Sequence, residues 1–229
     1  MKIKLIIPVI IAGMLFFSPA FSQNLDNELW MDVGASKKLF KNAKLELELA
    51  HRRDNNLAST KVFYFEPAFE YEAVKNLSLS VSYRYSIKPN KTNGNRLSFA
   101  AQYGFKIIDD LKISYRLKYQ SDFDPIDPAE KALRNKIKLA YNLSKKVDPY
   151  FAFEMHYNMD ALQKEFEQTR LAFGAEIDLP KGHDIAVYYM FRRKFNVKNT
   201  GNINTIGIGY SLGNIKGKKG KKGKKGSDN

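Results

Sequence analysis

The chain has 229 residues, 44% of them apolar, 13% aromatic and 27% charged, with 38 Lys plus Arg against 24 Asp plus Glu and a formal net charge of +14. A mean hydropathy of −0.44 excludes a polytopic helical membrane protein, because each helical span needs about 20 consecutive apolar residues. Cysteine is absent, which excludes disulfide frameworks, cysteine zinc sites and thiol catalysis together.

Lys2 and Lys4 precede an unbroken apolar run from Leu5 to Phe17, followed by Ser18-Pro19-Ala20-Phe21-Ser22-Gln23. A basic start, a short apolar core and small residues at Ala20 and Ser22 predict a secretory signal peptide over 1–22, cleaved after Ser22. The apolar run is too short to cross a hydrocarbon layer about 30 Å thick as a helix. The mature chain is therefore expected to begin at Gln23 and to leave the cytoplasm.

From there the sequence alternates. Leu45, Leu47 and Leu49 enclose Glu46 and Glu48; Leu77, Leu79, Val81, Tyr83 and Tyr85 are separated by Ser78, Ser80, Ser82 and Arg84. Leu111, Ile113, Tyr115, Leu117 and Tyr119 alternate with Lys112, Ser114, Arg116 and Lys118, and Ile137, Leu139 and Tyr141 follow the same rule. A period of two puts one set on each face of a strand, whereas a helix requires spacings of three and four. Eleven such runs are expected, at 28–39, 43–53, 60–73, 76–88, 95–108, 110–122, 131–144, 148–158, 164–179, 184–195 and 202–213. They are long for globular strands and match the reach needed by a tilted strand in a bilayer, about 9–11 residues.

The connections alternate as well. Tight turns at Lys41-Asn42, Lys75-Asn76, Asp109-Asp110, Lys145-Lys146 and Pro180-Lys181-Gly182 interleave with longer polar links such as Lys88–Asn95 and Ser121–Lys131. Short periplasmic turns and longer extracellular loops are the pattern of outer-membrane barrels. Many of the aromatics, among them Phe65, Phe99, Tyr103 and Tyr189, share the apolar face, as interfacial girdles do. The predicted fold is an all-β, antiparallel transmembrane β-barrel over 23–213, of 10–12 strands. Twelve are favoured, since bacterial single-chain barrels have even strand numbers. Thr205-Ile206-Gly207-Ile208-Gly209-Tyr210-Ser211-Leu212 resembles the terminal signal read by the barrel-assembly machinery, with Gly207, Tyr210 and Leu212 as its elements.

Glu28-Leu29-Trp30, Ser36-Lys37-Lys38-Leu39 and the leucines before Arg52-Arg53 resemble an uncharacterised bacterial domain-of-unknown-function family of outer-membrane barrels. Thr169-Arg170-Leu171-Ala172-Phe173-Gly174 and Val187-Tyr188-Tyr189-Met190 fit its later strands. The resemblance spans nearly the whole mature chain. It implies a barrel embedded in a Gram-negative outer membrane and brings no activity or catalytic residues.

Catalytic signals are weak. The histidines are His51, His156 and His183, and none has a serine two residues on, as barrel lipid hydrolases typically do. No nucleophile–base–orienter set is visible. Asp122, Asp124, Asp127 and Glu130 lack the glycine-centred spacing of a calcium loop and are interrupted by Pro125 and Pro128. No enzyme activity, metal or cofactor is expected. The competing readings are a lipid-modifying barrel, hydrolase or acyltransferase, with His156 as base, and a soluble periplasmic barrel.

With apolar residues outward, Glu46, Glu48, Glu66, Glu70 and Glu72 form an acidic lumen wall, and Lys112, Arg116, Lys118, Arg134, Lys136 and Lys138 a basic one. At ten to twelve strands the expected lumen is filled by a salt-bridge network of these walls, and conductance is then low or nil. The chain ends in glycine–lysine repeats, a segment over 214–229 whose composition predicts disorder. There Lys218, Lys219, Lys221, Lys222, Lys224 and Lys225 offer an anion-binding arm for anionic lipid or an acidic partner. Outer-membrane lipids and the barrel-assembly machinery are the other expected partners, and nucleic acid is not one. The function expected is structural, or binding or transport of small molecules.

Overall fold

The computed structural model describes residues 25–89, 91–123, 129–160, 164–197 and 200–213. The predicted signal peptide and the lysine-rich tail lie outside them, as do Asp124 and Asp127. Eleven strands are present among the described residues: β1 (Leu25–Phe40), β2 (Ala43–Asp54), β3 (Ser59–Val74), β4 (Leu77–Ile87), β5 (Gly94–Ile108), β6 (Leu111–Phe123), β7 (Glu130–Tyr141), β8 (Val147–Asn158), β9 (Phe166–Asp178), β10 (His183–Lys194) and β11 (Gly201–Leu212). Each pairs antiparallel with the next, and β1 closes the barrel against β11 in parallel.

That seam corrects the expected count of twelve. An even number follows only if every neighbouring pair is antiparallel. An up-and-down meander of eleven strands leaves its first and last strands running the same way, and Trp30 stands opposite Gly207 in the resulting parallel ladder. The chain consequently enters the barrel at one rim, at Leu25, and leaves β11 at the other, at Leu212.

The two rims differ in their connections. At one, β1–β2, β3–β4 and β5–β6 turn through two residues each, and Asn76 takes the left-handed conformation, φ 72°, that such a turn needs. The other rim carries the longer links, among them 88–93 and 159–165. Strand β2 continues to Asp54 and β3 begins at Ser59, so the link between them is only 55–58, shorter than the gap between the runs 43–53 and 60–73.

Alternation converts directly into two faces. On β2, Lys44, Glu46, Glu48 and Ala50 are partly or fully enclosed while Leu45, Leu47 and Leu49 are exposed. Side chains at even positions face the lumen on β1 to β10. At β11 the parity switches, because Tyr188 pairs with Gly207 and Trp30 pairs with the same glycine. The outer surface is a belt of large apolar side chains: Leu49 is 52% exposed, Phe99 50% and Ile208 47%. The buried set is small and about half polar, including Glu154, His156 and Arg192, and its largest fully buried side chains are Glu28, Ser98 and Thr205. This barrel is polar inside and oily outside.

Candidate functional site

One side of the lumen is filled by side chains. The register aligns Trp30, Gly207, Tyr188, Gly174 and Tyr150 in one row across five strands, alternating a large ring with a bare glycine. The glycines are what make room. A β-carbon at Gly207 would lie 1.9 Å from Cζ of Tyr188, and one at Gly174 would meet Tyr188 Cβ at 2.6 Å and Tyr150 Cζ at 2.8 Å. Packing large against small across neighbouring strands lets three bulky rings lie inside the wall without overlap.

The opposite side is lined by small side chains. Strand β4 presents Ser78, Ser80, Ser82 and Ser86 to the interior, and β5 presents Ser98, Ala100 and Gln102. A cavity of about 1040 Å³ lies against them. Its walls reach from Ser36, Glu46 and Glu70 at the short-turn rim to Lys61, Lys88 and Lys91 at the loop rim. The expectation of a filled lumen therefore holds on one side only. The serines leave a polar lane that the size rule for small barrels does not capture.

Charge is distributed unevenly along this lane. Twelve Lys and Arg line it against five carboxylates. The acids Glu46, Glu48, Glu66 and Glu70 sit on β2 and β3; Arg116, Lys118 and Arg134 face them from β6 and β7. The two walls meet where Lys118 Nζ reaches Glu66 at 3.5 Å, across the short side chains of the two strands between. Glu66 also accepts from Ser82 at 2.8 Å and pairs with Arg84. Glu154 serves Arg134 at 2.6 Å, Arg170 at 3.3 Å and Arg116 at 3.5 Å, with His156 at 2.8 Å. Glu28, the third hub, binds Arg192 at 2.5 Å and Lys61 at 2.6 Å and accepts the Trp30 indole N–H at 2.7 Å.

The remaining wall residues are less central. Glu72 shares the inward parity but is exposed near the short-turn rim, as is Lys112. Lys136 and Lys138 are half-buried off the lane, and Lys138 is engaged with Glu176 at 2.5 Å. Of the terminal-signal residues, Gly207 faces inward beneath Tyr188, whereas Tyr210 and Leu212 occupy the other parity. Tyr210 Oη lies 2.8 Å from His183 Nδ1. His51 stacks on Phe63 with ring centres 4.1 Å apart. His156 is enclosed beside Glu154 and is joined to that carboxylate rather than to a hydroxyl nucleophile. Among the described residues no group of three His, Asp or Glu side chains is placed to hold a metal ion.

The ring–glycine row and the guanidinium cluster around it escape a reading by alternation. Their signal is glycine inside two strand runs, at Gly174 and Gly207, where a bare backbone admits a neighbour. Trp30 is the centre of that cluster: the guanidinium carbons of Arg52, Arg192 and Arg170 lie 3.6, 4.9 and 5.7 Å from its ring.

No curated protein matches the chain. Among solved structures, the anion-selective porin from Comamonas acidovorans is similar at 10% identity and a TM-score of 0.41, over 74% of this chain and 53% of that one. This chain thus spans about half the length of that porin. Residues 27–204 match the family described as "Protein of unknown function (DUF2490)". That match takes in nine whole strands, β2 to β10, and parts of the other two, short of β1's first two residues and β11's last eight. The chain belongs to this family of unknown function, and it builds the family's segment as a closed all-β barrel.

Proposed function

We propose that this protein is a β-barrel of a bacterial outer membrane whose serine-lined lane binds or passes small polar solutes. The observation that carries the reading is the inverted polarity: apolar side chains cover the outside of every strand while ion-pair hubs occupy the inside. Contiguous exposed apolar surface on water-soluble monomers rarely exceeds a few hundred Å², and a belt around a whole barrel goes far beyond that. Hydrocarbon is the solvent that such a belt matches, and a closed barrel leaves no unpaired backbone edge within it. The short turns then face the periplasm and the longer loops the exterior.

In this reading the protein is not an enzyme. Its partners are the surrounding lipids and the assembly machinery that inserts it, with anionic headgroups or an acidic partner for the lysines of the 214–229 segment. The test is heat-modifiable migration of the membrane fraction, together with swelling of liposomes that hold the purified protein in a small uncharged sugar. Both should be positive. A protein found in the soluble periplasmic fraction would overturn the membrane assignment, and intact heat-modifiable protein without swelling would overturn passage.

A further inference from the structure

We infer that the lane contains a binding site for a small carboxylate or phosphate anion, built around Trp30 by Arg52, Arg170 and Gln168. The inference rests on the solute lane proposed above and names the class of solute.

Charge is the first argument. The three carboxylate hubs Glu28, Glu66 and Glu154 serve two, two and three Lys or Arg respectively, so seven cations share three anions. Enclosed cations left in excess carry a large desolvation cost unless an anion joins them. Arg52 stands outside even this sharing. It lies 3.6 Å above the Trp30 ring and donates to Tyr64 Oη at 2.6 Å, which in turn donates to Glu48 at 2.5 Å, and among the described residues it forms no ion pair.

Unused donors are the second. Gln168 is 8% exposed and lines the lane, and its Nε2 has no partner among the described residues. Its Oε1 accepts from Arg170 Nη2 at 3.3 Å, which leaves the amide N–H groups for something else. The Nε atoms of Arg52 and Arg170 are likewise buried and unpartnered. One buried acceptor, Asp32 Oδ1, is also left open among the described residues, but the three donors outnumber it. Beside a cavity lined by more cations than carboxylates, they match the several oxygens of a carboxylate or phosphate. Such an anion would complete a set of hydrogen bonds that the protein leaves open.

Trp30 is the only tryptophan in the chain and reports on the site directly. The full chain in detergent micelles is titrated with sodium phosphate and, separately, with sodium succinate at constant ionic strength, following tryptophan emission. At least one should give a saturable change, and glucose should give none. Arg52→Ala removes a guanidinium that forms no ion pair among the described residues and should weaken binding about tenfold or more. Gln168→Glu supplies the cluster with an internal carboxylate and should abolish the response. Lys146→Ala, an exposed turn variant that removes the same unit of charge, should leave it unchanged.

No saturable response in folded, heat-modifiable protein would overturn the site. An unaltered response in both Arg52→Ala and Gln168→Glu would overturn it too, as would equal weakening in Lys146→Ala. Swelling with neutral sugar but no anion response removes the site and leaves the lane. Loss of swelling and of heat-modifiable migration removes the lane itself, whatever the fluorescence shows.

Discussion

The far end of the Tyr188 ring occupies the space that a side chain at Gly207 would need, with Cζ 1.9 Å from the position of a β-carbon there. Gly207→Ala must therefore push the ring away or bend the strand. The expected loss is about 1–3 kcal/mol, typical of overpacking. It is measured by the urea dependence of the heat-modifiable band. Tyr188→Ala in the same chain should recover part of it, a coupling expected of residues in contact. Additive losses in the double variant would mean that the two do not share that space.

Glu154→Gln should be the most damaging charge removal. Its carboxylate, 5% exposed, is shared by Arg116, Arg134 and Arg170, and its loss strands enclosed guanidiniums. Breaking such a hub costs about 3–5 kcal/mol. Glu46→Gln, whose partner Lys44 lies 2.8 Å away at the better-hydrated rim, should cost less than about 1 kcal/mol. The same urea series measures both, and a Glu46→Gln loss equal to that of Glu154→Gln would contradict this ranking.

The lane depends on small side chains. Ser80→Phe places a ring in the serine-lined half of the lumen and should slow liposome swelling several-fold, while the urea midpoint stays near that of the parent protein. Unchanged swelling would show that solutes take another route.

Folding information should end with β11 at Leu212. A chain truncated before Gly217 is expected to insert and to show full heat-modifiable migration, because the last ladder partner of β1 is Leu212 opposite Ala35. Failure to insert would place assembly information in the lysine-rich segment.

Alternation revealed most of this architecture. Leu45, Glu46, Leu47 and Glu48 announce their faces by parity alone, and the eleven periodic runs correspond to the eleven strands. What parity cannot reveal is how the ends meet. Evenness is a property of all-antiparallel closure, and nothing in the Leu25–Phe40 or Gly201–Leu212 segments signals that they pair in parallel. The acidic residues of β2 and β3 were legible as lumen groups, whereas Glu72 and Lys112 fall at the rim because height along a strand is not encoded in a period of two. The Trp30–Gly207–Tyr188–Gly174–Tyr150 row lies further from view. It exists only once five registers are set, and one of them crosses the parity switch at β11.

The central claim is that the apolar belt meets hydrocarbon, and the absence of cysteine makes it directly measurable. Spin labels are attached to Val81→Cys and Leu117→Cys on the outer face and to Ser80→Cys in the lumen, with the protein in lipid bilayers. Relaxation by oxygen is then compared with relaxation by a water-soluble nickel chelate. Strong oxygen and weak nickel effects are predicted at the two outer positions, with the reverse at the inner one. Labels at Val81→Cys and Leu117→Cys that the nickel chelate relaxes as readily as the label at Ser80→Cys would contradict the account.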